Sequence, residues 1–158
     1  MTQPDSPVRR AARPLAFAGW ALVGLVLLHV ATSIGRNGTA DGASVVAAFA
    51  LALPTLTLVG ALVEFVRFFE RVGDDEVFTE RNVRTLRAGG QGLVLAAFMS
   101  VVVGPSLAAW VGPDGFRGVV WAFNDLAIGV GAMGFAMVGI ALVFREAVRI
   151  KLDNDAIV

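Results

Sequence analysis

Four long apolar segments divide the sequence, and the polar and charged residues gather between them. The segments cover residues 15–34, 44–63, 93–112 and 126–144, and none carries a charged residue in its middle. A helix of about 20 apolar residues crosses the roughly 30 Å hydrocarbon core of a bilayer. Because a backbone in lipid must satisfy its own hydrogen bonds, each segment predicts a transmembrane α-helix. The apolar run before the fourth segment extends its predicted span to 119–144.

The composition agrees with a membrane protein. Of the 158 residues, 56% are hydrophobic and 16% are charged, and the mean hydropathy is +0.73. Soluble domains carry about a quarter charged residues, so a chain of this size cannot hide its apolar side chains in one water-soluble core. We therefore predict an all-α fold. It is a four-helix transmembrane bundle, residues 15–144, with a short cytoplasmic amphipathic helix between spans two and three.

The positive charges lie on one side of the predicted membrane. Eleven of the thirteen Lys and Arg residues fall in the N-terminal segment 1–14, the loop 64–92 and the tail 145–158. Arg36 and Arg117 fall in the two short loops opposite. Because cytoplasmic loops carry an excess of Lys and Arg, the pattern predicts that both termini and the long loop are cytoplasmic.

The first span has a second interpretation. Arg9, Arg10 and Arg13 precede its apolar run, as basic residues do in a secretory signal peptide. The apolar run is long for a signal sequence and three further spans follow, so we favour an uncleaved span.

One ionisable residue lies well inside a predicted span. His29 is six residues before Gly35, about 9 Å below the outer end of the first span at the helical rise per residue. Intramembrane ionisable groups are functional candidates, and Asp125 reaches a similar depth if the fourth span begins near Val119. The two could then form a proton-sensitive latch. We favour the alternative, in which His29 is neutral and Asp125 begins its helix at headgroup level.

Small residues recur through the fourth span. Ala127 and Gly131, and then Ala132 and Ala136, have the four-residue spacing that lets helix backbones approach closely. This spacing is typical of a homo-oligomer seam and also of packing inside one bundle. We favour packing inside the bundle.

Two prolines interrupt spans two and three. Pro54 and Pro105 lack a backbone N–H, so they leave the carbonyls of Ala50 and Val101 without their helical donors. Paired broken helices are found at transport sites, which makes a small transporter or channel the second hypothesis for this chain. No internal repeat supports it, so we favour simple kinks.

No constellation typical of an enzyme appears. The chain has no cysteine and one histidine, which excludes disulfides and thiolate chemistry. Metalloprotease and nucleotide-binding motifs do not occur, and the acidic run 74–76 lacks the spaced ligands of a calcium loop. We therefore predict a non-enzymatic protein without a metal or another cofactor.

The loop 64–92 contains a predicted amphipathic helix. Thr79 is a good N-cap, and Arg81, Arg84 and Arg87 follow at three-residue spacing. We expect this helix to end near Gly89-Gly90, before span three. Its basic face suits either anionic lipid headgroups or an acidic partner, and the charges alone favour lipid.

Two polar segments carry motifs. Residues 78–87 are Phe-Thr-Glu-Arg-Asn-Val-Arg-Thr-Leu-Arg, and residues 145–155 are Arg-Glu-Ala-Val-Arg-Ile-Lys-Leu-Asp-Asn-Asp. Both segments resemble motifs of bacterial four-span membrane proteins catalogued as domain of unknown function 2975, and the span number agrees. The final residues depart from the family pattern, because Asp155-Ala156-Ile157-Val158 stands where the family usually has an acidic residue, Leu, Thr and Val.

The resemblance implies a role at the membrane rather than a chemistry. The genes of family members often lie beside a gene for a small helix-turn-helix regulator in the same operon. This implies a scaffold or sensor in the bacterial plasma membrane that binds the regulator without touching DNA itself. We expect the partner-binding residues to be Phe78, Thr79, Asn82, Val83, Arg84, Leu86 and Arg87 of the loop, with Ile150, Asp153, Asn154 and Asp155 of the tail.

Overall fold

The protein is helical throughout its long apolar segments. A computed structural model describes residues 7–37, 42–73, 79–111, 115 and 117–155. Helix α1 is Pro7–Asn37, α2 is Gly42–Gly73, α3 is Glu80–Phe98, α4 is Gly104–Val111 and α5 is Asp125–Asp155. A π-helical turn, Met99–Val103, joins α3 to α4. No strand occurs in the described ranges, so the all-α prediction is confirmed.

Four stretches of the described helices are long and apolar enough to cross a membrane. They are Arg10–Gly35, Ala48–Val72, Glu80–Val111 and Asp125–Ile150. The third stretch consists of α3, the π-helical turn and α4 together. Each of the four predicted spans therefore coincides with one such stretch. The stretch for span two begins at Ala48, later than the predicted 44, and the stretch for span three ends at Val111.

Consecutive spans lie side by side. α1 packs on α2, α2 packs on α3 and α4, and α3 packs on α5. Among the described residues no extensive contact joins α1 to α5, so the bundle is an open row with these two helices at its edges. Neighbours run in opposite directions, which places the arginines at 10–13, 67–71, 81–87 and 145–149 at one end. We name this the basic end.

Glycines allow the central helices to approach closely. A Cβ atom added to Gly134 of α5 would lie 2.7 Å from the carbonyl oxygen of Gly90 in α3. A Cβ atom on Gly89 would lie 3.0 Å from the ring of Phe65 in α2. The predicted helix end at Gly89-Gly90 is therefore wrong: the helix continues to Phe98, because these glycines make room for α2 and α5.

The small residues of α5 are divided between two faces. Ala127 is buried, and a Cβ atom on Gly131 would lie 3.3 Å from the Cβ of Ala97 in α3. Ala132 and Ala136 are exposed. The first pair thus packs inside the bundle, as favoured above, whereas the second faces outward.

The start of α5 differs from the prediction. The helix begins at Asp125, six residues after the predicted start at Val119, and residues 119–124 are not helical. The Asn124 side chain accepts a hydrogen bond of 2.7 Å from the backbone N–H of Ala127. Asn124 therefore acts as an N-cap, and this cap fixes the helix start more strongly than the apolar character of the residues before it.

The non-helical residues before α5 pack against the proline break of span three. The N–H of Ala122 donates a hydrogen bond of 2.8 Å to the carbonyl of Val101. The Ser106 hydroxyl accepts a bond of 2.9 Å from the N–H of Val120 and lies 3.3 Å from the Val120 carbonyl oxygen. The segment thus supplies the donor that Pro105 lacks.

Candidate docking surface at the basic end

Helix α3 begins as its sequence predicts. Thr79 has extended backbone angles, and its hydroxyl accepts a hydrogen bond of 3.2 Å from the N–H of Asn82. Glu80 lies in the first turn, where the helix dipole favours an acid. The Thr79 N-cap is therefore confirmed, and it fixes the direction of the arginines that follow. Phe78 lies outside the described residues.

The remaining motif residues of α3 divide into a buried face and an exposed face. Asn82 is 0% exposed, and Val83 and Leu86 are also buried. Arg84 and Arg87 are exposed. Asn82 and Leu86 are thus enclosed within the bundle, whereas Val83, although buried, lines a cavity at the surface.

A threonine that the sequence did not single out links α2 to α3. The Arg71 guanidinium donates to the hydroxyl of Thr85, and that hydroxyl donates a bond of 3.0 Å to the carbonyl of Arg81. Thr85 is buried. The sequence separation between Arg71 and Thr85 does not predict this contact, because the contact depends on how α2 and α3 pack.

The exposed arginines of α3 meet α5 in a small cavity of about 170 Å³. We name it the arginine groove. Glu80 lies 3.7 Å from Arg84, whereas Arg87 and Arg145 form no ion pair with another described residue. The groove therefore carries an excess of positive charge. Its lining residues are Glu80, Val83, Arg84, Arg87, Ala141, Leu142 and Arg145.

A second groove continues from the first along α5, with a volume of about 390 Å³. We name it the tail groove. The two grooves share Glu80, Leu142 and Arg145. In the tail groove charges of both signs alternate, and Arg149 lies 4.0 Å from Glu146. Its lining residues are Glu80, Leu142, Arg145, Glu146, Arg149 and Asp153.

The tail residues named from the motif belong to α5 itself. The helix continues ten residues past Arg145, to Asp155. Ile150, Asp153 and Asn154 are exposed. The side chain of Asp155 lies outside the described part of the chain. The two motif segments, far apart in the sequence, therefore form one continuous surface at the basic end.

The structure separates the two intramembrane polar candidates. His29 is exposed beside α2, near Thr55, whereas Asp125 is the first residue of α5 at the other edge of the row. No hydrogen bond or ion pair joins His29 to Asp125 among the described residues. This arrangement does not support the latch and agrees with Asp125 beginning its helix.

The two proline breaks lie next to each other. A Cβ atom on Gly104 would lie 3.5 Å from both the carbonyl oxygen of Ala50 and the ring of Pro54. A cavity of about 150 Å³ beside this contact includes polar residues from α2, from the π-helical turn and from the N-cap of α5. These polar residues are Thr55, Ser100 and Asn124.

Comparison with known proteins identifies one family. The family described as "Protein of unknown function (DUF2975)" matches residues 30–158, which is most of the chain. The match includes both motif segments and begins at Val30. No curated protein and no solved structure matches the chain.

Proposed function

This chain belongs to the DUF2975 family, and we propose that it is a non-enzymatic membrane scaffold or sensor that binds a small cytoplasmic helix-turn-helix regulator. One observation carries the proposal. The family motifs of the loop and the tail lie on α3 and α5, which pack together and place both motifs at the basic end. A single partner can therefore contact both.

The proposed location is the bacterial plasma membrane, with both termini and the basic end in the cytoplasm. Eleven of the thirteen Lys and Arg residues support this orientation. The basic end then faces the compartment that contains a DNA-binding regulator. The scaffold itself binds no DNA, and it keeps the regulator at the membrane until a signal releases it.

The tail groove is the proposed contact surface. Arg149 lines this groove, and Ile150 and Asn154 are exposed at neighbouring positions of α5. Together these three residues supply charged, apolar and amide groups within six positions of the helix. Interfaces of this kind need an apolar centre with polar groups around it. Ile150 provides that centre, because 55% of its surface is exposed.

Co-purification from the native host tests this proposal. The tagged full chain should retain a small helix-turn-helix protein, and the two purified proteins should bind each other. The double variant Ile150→Asp/Arg149→Glu should weaken that binding at least tenfold. Arg10→Glu is the control, because Arg10 is exposed at the same end on α1. Recovery of no regulator, or equal binding by both variants, would contradict the proposal.

Transport is a second candidate function, supported by the two adjacent proline breaks. The cavity beside them is lined mostly by apolar residues and also by three polar residues, Thr55, Ser100 and Asn124. The carbonyl of Val101 is already bonded to Ala122, which leaves one fewer ligand for a cation. Ion or solute flux into liposomes that contain the purified chain would establish transport, and loss of flux in Asn124→Ala would assign it to this cavity.

A further inference from the structure

The arginine groove presents three guanidinium groups from two helices. Arg84 and Arg87 come from α3, and Arg145 comes from α5. Arg87 and Arg145 have no carboxylate partner among the described residues, and Glu80 pairs only loosely with Arg84 at 3.7 Å. A guanidinium group offers a planar fork of donors that suits the oxygens of a phosphate. The charge of the groove therefore favours a phosphate.

The groove lies where the apolar part of α5 ends. Residues 126–144 carry no charge over 19 positions, about 28 Å of helix, close to the thickness of a hydrocarbon core. Arg145 follows directly. Ala141 and Leu142, the last apolar positions of this span to line the groove, lie beside the three arginines. The groove thus combines apolar and cationic lining residues.

We propose that the arginine groove binds the headgroup of an anionic phospholipid. The phosphate lies between Arg84, Arg87 and Arg145, and an acyl chain continues along Leu142, which is 54% exposed. Basic pockets between transmembrane helices on the cytoplasmic side are known to bind such headgroups. A cavity of about 170 Å³ is large enough for a phosphate group. It is too small to admit a partner helix, which is about 10 Å across.

This site does not depend on the proposed regulator. It uses the arginine groove, whereas the regulator is placed at Arg149 and Ile150. Because the grooves share Glu80, Leu142 and Arg145, a bound lipid would form part of the surface beside the tail groove.

Native mass spectrometry of the full chain in detergent measures this binding. Phosphatidylglycerol and phosphatidylcholine are titrated separately, and the Kd of the first bound lipid is compared between two triple variants. The groove variant is Arg84→Gln/Arg87→Gln/Arg145→Gln. The control variant, Arg13→Gln/Arg67→Gln/Arg81→Gln, removes the same charge from exposed positions that do not line the groove.

The wild type should prefer phosphatidylglycerol. Each groove arginine should contribute about fivefold to the affinity, so the groove variant should bind roughly a hundredfold more weakly. The control variant should stay within about threefold of the wild type. If the groove triple variant loses helical content, each single groove variant is compared with Arg81→Gln in the same way.

Three results would overturn the proposal. Equal losses in the two triple variants would show diffuse attraction to the basic end. Equal affinity for phosphatidylcholine would exclude recognition of the anionic headgroup. Displacement of the lipid by inorganic phosphate at equal concentration would show that the groove binds a soluble anion instead.

Discussion

The backbone N–H of Ala122 donates a hydrogen bond of 2.8 Å to the carbonyl oxygen of Val101. Pro105 cannot supply the helical donor for this carbonyl, because proline has no N–H. The break in span three is therefore repaired by the segment that leads into α5. The proline and this segment form one structural unit, closed further by Ser106 and Val120.

Substitution Ala122→Pro removes that donor. An unsatisfied carbonyl costs about 1–3 kcal/mol, so the free energy of unfolding in detergent should fall by that amount. Val119→Pro is the control, because the N–H of Val119 donates to no other described residue. Denaturant unfolding followed by circular dichroism makes the comparison. Equal effects of the two substitutions would show that the bond to Val101 does not stabilise the fold.

The close approach of α3 and α5 predicts that alanine substitutions at two glycines of α5 will change the stability of the protein by different amounts. Gly134→Ala places a methyl group 2.7 Å from the Gly90 carbonyl oxygen, and should cost about 1–3 kcal/mol of stability. Gly139→Ala meets no atom within 4 Å, and should be neutral or stabilise the helix by up to about 1 kcal/mol. Thermal unfolding of both variants measures the difference. A similar melting temperature for the two would contradict the close packing.

Thr85 provides a third prediction. Thr85→Val keeps the shape of the side chain but removes the hydroxyl that joins Arg71 to α3. Hydrogen bonds to charged groups contribute about 1.5–3 kcal/mol, so the free energy of unfolding should fall by that amount in Thr85→Val. Denaturant unfolding in detergent measures this decrease, which should disappear when Arg71→Gln is already present. Thr57→Val is the control, because the Thr57 hydroxyl bonds only to Leu53 in its own helix. A full loss that persists without Arg71 would show that the two side chains act independently.

The proposed orientation is testable because the natural chain has no cysteine. Gly115→Cys and Asn154→Cys place single thiols at exposed positions at opposite ends of the bundle. In intact cells a membrane-impermeant maleimide should label Gly115→Cys and should label Asn154→Cys only after lysis. The reverse pattern would place the basic end outside the cell.

The apolar pattern predicted the four helices because its runs match the membrane thickness, and Thr79 predicted the start of α3 because a cap is a local feature. Long-range contacts determine what the pattern missed. The helix continues through Gly89-Gly90 because Phe65 and α5 occupy the space that side chains would need. The apolar residues from Val119 onward gave no indication that the N–H groups of Val120 and Ala122 bond to span three instead of forming a helix.

The docking surface was predictable only in part. Its location followed from the distribution of arginines and from the two motifs. The period of α3 did not show which motif residues are buried, so Asn82 was expected to contact a partner although it is fully enclosed. The separation of His29 from Asp125 depends on the order of helices in the row, which the sequence does not specify.

Site-specific photo-crosslinking in the native host tests whether a regulator docks at the basic end. A photoreactive residue replaces either the exposed Ile150 or the buried Val148, two residues apart on α5. A crosslinked product with a small helix-turn-helix protein is expected from position 150, and little product is expected from position 148. No crosslinked regulator from position 150, or equal products from both positions, would contradict docking at the basic end.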